Sequence, residues 1–209
     1  IKIGFTKETL GESLHPAVNK AIESAIDALK DAGFILEEIA LPEFEDVASF
    51  SAKTLFGEIK ALHEKDYKNL GSENFNLVAE NYFKIISPFE GEDLLLGMAK
   101  RSYFFREWNL FFRKYPLVLT PLLLYPTYEW NRDTEGLEGT KEVLAGMFYA
   151  HTMNYVGIPA GVVSANYNDG LPVGVQIIST RFREDIILKA CEEIEKRLGI
   201  MAVRLFDRD

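Results

Sequence analysis

The sequence predicts an α/β fold in which a mixed sheet is flanked by helices. A short apolar segment, a helical segment and a second apolar segment follow one another between Ile1 and Leu41, which is the order of a parallel βαβ unit. Near the other end, two strand-like segments flank Asn168-Asp169-Gly170, a tight-turn sequence typical of an antiparallel hairpin. Parallel and antiparallel pairing in one chain would make the sheet mixed.

The predicted βαβ unit begins with a strand at Ile1 to Phe5. His15-Pro16 opens the helix, because proline is favoured at the first helical position. Gly33 stands where a left-handed C-terminal cap belongs, and Phe34 to Leu41 forms the second strand. The helix is predicted from apolar residues at helical spacing, namely Val18, Ile22, Ala25, Ile26 and Leu29.

Between Glu43 and Phe112 the apolar period is helical, with breaks at Gly71, at Ser87-Pro88 and around Gly91. This pattern predicts three or four helices, the last running from Gly91 to Lys114. Core packing is the expected role of one stripe on this last helix, with a cofactor-binding surface as the alternative. The stripe consists of Leu95, Met98, Ser102, Phe105, Trp108 and Phe112.

The remaining elements complete the prediction. Leu117 to Leu124 is a continuous apolar run, as expected of a strand buried on both faces, and Tyr128 to Gly139 is a polar loop. The other predicted elements are a helix at Thr140 to Met153, strands at Pro159 to Tyr167 and Leu171 to Ser179, and a closing helix at Arg183 to Leu198 capped by Gly199. No internal repeat or flexible linker is visible, so residues 1–209 are expected to form one domain.

Composition excludes several classes of protein. The chain has 23 Lys+Arg against 32 Asp+Glu, a formal charge of −9, and is 47% hydrophobic, as in a soluble globular protein. No basic cluster favours a nucleic acid partner. Tyr115 to Tyr125, the longest nearly apolar stretch, contains two prolines and is too short to span a membrane. Cys191 is the only cysteine, which favours the reducing cytoplasm.

No common catalytic or metal-binding motif is present. The sequence lacks a nucleophile elbow, an S-x-x-K pair, an H-E-x-x-H zinc motif, a P-loop and a dinucleotide-binding glycine fingerprint. The histidines His15, His63 and His151 are far apart, and none has a second ligand at metal spacing. We therefore expect neither a metal nor a cofactor.

The C-terminal third resembles the closing segment of amidase signature enzymes. The matching residues are Asn154-Tyr-Val-Gly157-Ile-Pro159-Ala160-Gly-Val-Val, Gly170-Leu-Pro172-Val-Gly174-Val-Gln176-Ile-Ile, and Phe182-x-Glu184-Asp185. Earlier segments agree, since Ile1-Lys-Ile-Gly, His15-Pro-Ala-Val and Tyr115-Pro-Leu-Val-Leu-Thr-Pro121 are similar to successive elements of that family. Tyr115-Pro stands where the family usually has Tyr-Asp. The resemblance therefore spans essentially the whole chain.

This resemblance implies an α/β/α sandwich and hydrolysis of a carboxamide through an acyl-enzyme. The family's serine nucleophile, its relay serine and its lysine belong to an earlier half of those enzymes, so no catalytic residue is carried over to this chain. The chain is thus expected to be the C-terminal, pocket-forming part of an amidase, inactive alone. The alternative is a non-catalytic binding or regulatory module of amidase ancestry.

The resemblance also implies where substrate binds. In the family, the helix leading into the Asn-x-x-Gly-x-Pro element lines the acyl side of the pocket, and the matching stripe here is Leu144, Met147 and His151. An ordinary core stripe is the structural alternative. The loop after the buried strand, beginning at Tyr125, is a second candidate, because α/β proteins bind ligands at strand ends. We expect His151 and Met147 to face one cavity with Tyr125. The expected partner is a small-molecule amide, with self-association through an exposed sheet edge.

Overall fold

A computed structural model describes residues 1–201 and 203–206 of the chain. Its elements are β1 (Lys2–Phe5), α1 (Pro16–Asp31), β2 (Ile35–Glu38), α2 (Phe44–Leu70), α3 (Glu73–Ile86), α4 (Gly91–Phe112), β3 (Leu117–Pro121), a 3-10 turn (Arg132–Thr134), α5 (Gly136–Ala145), α6 (Phe148–Val156), β4 (Ala160–Asn168), β5 (Leu171–Ile178), α7 (Glu184–Leu198) and α8 (Val203–Phe206). No helix within these ranges has both the length and the apolar character needed to cross a membrane.

The described residues form two compact units. The α/β unit comprises Ile1–Pro42, Arg106–Thr127 and the chain from Gly157 onward, and the helical unit comprises Glu43–Phe105 and Tyr128–Val156. The expectation of one domain stays a prediction.

The α/β unit contains a five-stranded mixed sheet in the order β2-β1-β3-β5-β4. Strand β1 is parallel to both β2 and β3, whereas β5 is antiparallel to β3 and β4. The predicted fold class is confirmed. The aliphatic core joins α1 and α7 to the sheet, and its fully buried members include Ile3, Ile22, Leu119, Ile177 and Ile194.

The ends of α1 explain why the βαβ unit forms as predicted. The His15 ring Nδ1 accepts a hydrogen bond from the Ala17 N–H at 3.1 Å and so caps the helix N-terminus. At the other end Gly33 has a φ of +86°, and the Phe34 N–H donates to the Leu29 carbonyl at 3.0 Å. Gly33 therefore ends the helix in the left-handed conformation, as the sequence predicts.

The predicted hairpin is also confirmed, because β4 and β5 pair antiparallel around Asp169 and Gly170. Both residues have positive φ, +48° and +77°, as a two-residue type I′ turn requires. Gln176 in β5 is buried and donates from Nε2 to the Thr120 Oγ1 at 3.2 Å. The polar side chain therefore has the hydrogen bond that its burial demands.

The stripe predicted on α4 is only partly correct. Trp108 and Phe112 are buried, but Leu95 and Met98 are 66% and 43% exposed, and Ser102 is exposed as well. Early in α4 the buried position is Gly97 instead, where a Cβ would lie 2.4 Å from the Thr54 Oγ1 of α2. Leucines occupy several faces of this turn, so periodicity could not identify the face that packs.

Strands β2 and β3 end at Glu38 and Pro121, short of the predicted Leu41 and Leu124, and two helical segments also differ from the prediction. The polar loop at Tyr128 to Gly139 contains the 3-10 turn and the first turn of α5. The predicted helix at Thr140 to Met153 is two helices, because α5 ends before Gly146 and α6 begins at Phe148. Glycine is a poor helix former. Gly146 also has no side chain whose packing would be lost where the helix breaks.

Candidate substrate pocket in the helical unit

The predicted stripe of Leu144, Met147 and His151 crosses the break between α5 and α6. All three side chains are half-buried. The Met147 N–H donates to the Leu144 carbonyl at 3.0 Å, and the His151 N–H donates to the Met147 carbonyl at 3.3 Å. The three residues therefore follow one another on successive turns despite the break.

Tyr125 belongs to the α/β unit, where its half-buried ring lies 6.4 Å from the His15 ring, centroid to centroid. That Tyr125 shares a cavity with Met147 and His151 stays a prediction.

His151 lines a cavity of about 430 Å³ within the helical unit, which is large enough for a small organic ligand. We call it the His151 cavity. Of the four predicted binding residues, His151 lines this cavity, whereas Leu144, Met147 and Tyr125 do not. The other lining residues are Thr54, Leu55, Glu58, Met98, Arg101, Asn154 and Tyr155.

Two hydrogen bonds hold the α6 wall of this cavity against the α4 wall. The buried Tyr155 hydroxyl donates to the Gly97 carbonyl at 2.5 Å. In the opposite sense, the Arg101 Nε donates to the Tyr155 carbonyl at 2.5 Å. Each bond joins a side chain of one helix to a backbone carbonyl of the other, so the pair fixes α4 against α6 at this side of the cavity.

His151 is bound to Ser51, a residue that the sequence did not single out. The Ser51 Oγ lies 2.5 Å from the His151 Nδ1, and Ser51 is fully buried. Burial lowers the pKa of His151 from 6.5 to about 4, so the ring is neutral at pH 7. A neutral imidazole has one donor and one acceptor nitrogen, and Ser51 occupies one of the two. No local signal could have found this pair, because its members are 100 residues apart.

The Ser51–His151 pair orients a pocket side chain and is not a nucleophile with its base. Ser51 has no exposed surface, so a substrate carbonyl has no access to its oxygen. His151 also lacks the carboxylate contact that completes a catalytic triad, within the part of the chain that the structure describes. The same described residues contain no group of three His, Cys, Asp or Glu side chains arranged to hold a metal ion.

The rest of the lining determines what the cavity can bind. Leu55 and Met98 supply apolar surface, and Asn154 and Arg101 supply hydrogen-bond donors. Glu58 contributes a negative charge. This combination suits a molecule with an apolar body and one polar end.

Comparison with known proteins identifies the family. The profile of the Amidase family matches residues 1–188, and the chain belongs to this family. It is 30% identical over 208 residues to an indoleacetamide hydrolase of Bradyrhizobium japonicum, covering 99% of this chain and 45% of that protein. A glutamyl-tRNA(Gln) amidotransferase subunit of Methanosarcina mazei is 25% identical over 221 residues, covering 94% and 45%.

Solved structures agree on the fold. A 6-aminohexanoate cyclic dimer hydrolase solved with its substrate superposes with a TM-score of 0.71 at 19% identity, over 96% of this chain and 45% of that one. The chain spans about half the length of the curated relatives that it matches.

Proposed function

We propose that this chain is the C-terminal, substrate-pocket-forming part of an enzyme that hydrolyses a carboxamide to a carboxylic acid and ammonia or an amine. The observation that carries the proposal is the extent of the similarity: it covers 99% of this chain but 45% of the indoleacetamide hydrolase. A share of that size leaves room in the relative for a separate catalytic portion.

The side chains of this chain support a binding role. The resemblance to amidase signature enzymes assigns the nucleophilic serine, the relay serine and the lysine to a portion that precedes the matched segments. Within the helical unit, Ser51 is hydrogen-bonded to His151, but Ser51 has no exposed surface that a substrate could reach. Covalent catalysis needs an accessible, activated nucleophile, so acylation is assigned to the other portion.

In this proposal the His151 cavity accommodates the acyl group of the amide, with Leu144 and Met147 as further contacts, and a contribution from Tyr125 stays a prediction. The substrate to test first is an aromatic acetamide, since the relative with 30% identity is named an indoleacetamide hydrolase. A volume of about 430 Å³ accommodates a bicyclic ring with a short side chain.

The proposal extends to the surroundings of the chain. We place the enzyme in the cytoplasm, with no nucleic acid partner, because the chain is acidic and has a single cysteine. Strands β2 and β4 are the outer strands of the described sheet. An open strand edge favours self-association or pairing with the catalytic portion, which sedimentation at several concentrations would detect.

The direct test combines a fluorophosphonate probe with an assay of indole-3-acetamide hydrolysis. We expect the purified chain to show neither labelling nor turnover, and turnover to appear when the catalytic portion is supplied. Covalent labelling of one serine, with turnover lost on its change to Ala, would contradict the proposal. Tight binding of amides without turnover in the combined sample would instead favour a binding or regulatory module.

A pocket variant sharpens this test. In the combined enzyme, Met147→Ala should alter the ratio of kcat/KM between two amides of different acyl size, by about 1–3 kcal/mol, more than it slows the better substrate. Met98 lines the His151 cavity, so Met98→Ala is the positive control and should alter this ratio as well. Equal slowing of both amides by Met147→Ala would show that its role is structural.

A further inference from the structure

A second cavity of the helical unit has a different lining. It is an open pocket of about 500 Å³ between α3 and the segment that leads into α5. We call it the Trp130 cavity. Four of its lining residues are aromatic and two are acidic, and none is Lys, Arg or His. The lining consists of Asn74, Phe75, Val78, Tyr82, Tyr128, Glu129, Trp130, Asn131, Asp133 and Thr134.

Among the described residues, no basic side chain is paired with the acidic groups of this cavity. Arg132 lies between the acidic residues in sequence, but its guanidinium is paired with Glu142 and Glu135. Neither Glu129 nor Asp133 forms an ion pair in the described ranges. The pKa of Tyr82 is raised by burial and, to a smaller extent, by the charge of Asp133. The Asp133 carboxylate is thus close enough for its field to reach the tyrosine in the wall.

Buried hydrogen bonds fix the wall that carries Asp133. The Asn81 side chain of α3 donates from Nδ2 to the Thr140 Oγ1 at 3.0 Å, and the Thr140 hydroxyl lies 2.7 Å from the Asp133 carbonyl. Asn81 and Thr140 are almost wholly buried. These hydrogen bonds therefore join the two elements that form the cavity before any ligand binds.

The aromatic wall has similar supports. The Tyr128 hydroxyl donates to the Glu142 carbonyl at 3.3 Å, and the Thr134 hydroxyl donates to the Asn131 carbonyl at 2.8 Å. These bonds hold Tyr128 and Thr134 in place before binding, which lowers part of the ordering cost of a ligand.

We propose that the Trp130 cavity binds a small organic ammonium ion. The faces of aromatic rings attract cations, and Trp is the strongest of the aromatic side chains in this respect. The methyl or methylene groups on the nitrogen would pack on the rings, while Glu129 and Asp133 supply the opposite charge. An inorganic cation needs several oxygen ligands, and rings occupy much of this wall. The proposal does not depend on amide hydrolysis.

Choline provides the test, with 3,3-dimethylbutan-1-ol as the neutral molecule of the same shape. Trp130 is 91% exposed and the other tryptophan, Trp108, is fully buried, so a change in fluorescence on titration reports mainly on Trp130. We expect choline to bind about tenfold more tightly than the alcohol. Equal affinity of the two molecules, or no saturable change with choline, would overturn the proposal.

Three variants test which side chains provide the affinity for choline. Asp133→Asn combined with Glu129→Gln should weaken choline binding about tenfold and leave the alcohol unchanged. Glu138→Gln removes an exposed acid outside the lining and should change neither. Trp130→Ala, followed by the choline methyl signal in NMR, should also lose binding, with circular dichroism confirming the fold of each variant.

Phosphocholine distinguishes a free ammonium ion from one attached to a phosphate, as in a lipid headgroup. Its added negative charge should oppose Glu129 and Asp133 and lower the affinity below that of choline. Tighter binding of phosphocholine than of choline, or a loss of choline binding in Glu138→Gln equal to that in the double variant, would contradict the charge assignment.

Discussion

The core of the α/β unit is more aliphatic than that of the helical unit, although both units bury aromatic and polar side chains. The core of the α/β unit is formed by Ala, Val, Ile and Leu from α1, α7 and the strands. The helical unit buries aromatic rings together with polar residues such as Ser51, Thr54, Asn81, Thr140 and Thr152. The His151 and Trp130 cavities both lie within the helical unit.

Most residues of the family motif lie in the α/β unit, but Asn154 and Tyr155 belong to the motif, lie in the helical unit and line the His151 cavity. Gly157, Pro159, Gly170 and Gln176 belong to the α/β unit, and turn geometry or a buried hydrogen bond accounts for the last two. The family motif therefore reaches the His151 cavity through Asn154 and Tyr155.

The largest expected effect is on the aliphatic core. Leu119→Ala, at a fully buried strand position, should lower the free energy of unfolding by about 3–5 kcal/mol, because the lost contacts leave a cavity. The same change at Leu55, which is 40% exposed beside the His151 cavity, should cost less than about 0.5 kcal/mol. Urea denaturation compares the two. Equal losses would show that Leu55 is packed as closely as Leu119, against its exposure.

The next effect is a pH dependence that arises in the helical unit. The pKa of His151 is about 4 in the folded protein and 6.5 in the reference state. As the pH falls from 7 to 4, the unfolded chain takes up a proton that the folded protein does not. The free energy of unfolding should therefore fall by up to about 3 kcal/mol from this group.

The control for this prediction is His151→Gln, which cannot titrate in this range. The difference in unfolding free energy between wild type and variant should shrink as the pH drops below 6.5 and become constant below about 4. A difference that is independent of pH would show that the histidine is not held neutral by burial.

A smaller effect is expected at the hydrogen bonds between α3 and α5. Asn81→Ala leaves the Thr140 hydroxyl without its donor and should cost about 1–3 kcal/mol in unfolding free energy. Combining it with Thr140→Val should cost less than the sum of the two changes, since the interaction is lost only once. Asn69→Ala, at an exposed position of α2, is the control and should be nearly neutral. If the losses of the two single variants simply add in the double variant, Asn81 and Thr140 do not interact.

The α/β unit was the more predictable of the two. Proline at the start of α1, Gly33 at its end and Asp169-Gly170 in the hairpin act within a few residues, so a local pattern is enough to locate them. In the helical unit, the buried face of α4 depends on Gly97 packing against Thr54 of another helix. No period within α4 contains that information.

The candidate pocket was predictable in part. Similarity to the family indicated His151, which does line a cavity. Ser51, Arg101 and Tyr155 were missed, because tertiary packing alone brings them to His151 or to its cavity. The stripe of Leu144, Met147 and His151 is predicted on one helix, whereas it crosses the break at Gly146, and His151 is the member that lines the cavity.

The pairing of β1 with β3 has a consequence for the order of folding. Ile3 aligns with Leu117, and most of the helical unit lies between these two strands along the chain. The β4–β5 hairpin closes through two residues, so it can form within microseconds, whereas joining distant strands requires a long loop to close first. The central parallel strand pair should therefore form late. Until it forms, the apolar strand β3 is exposed to other chains, and this interval is when the protein is most prone to aggregate.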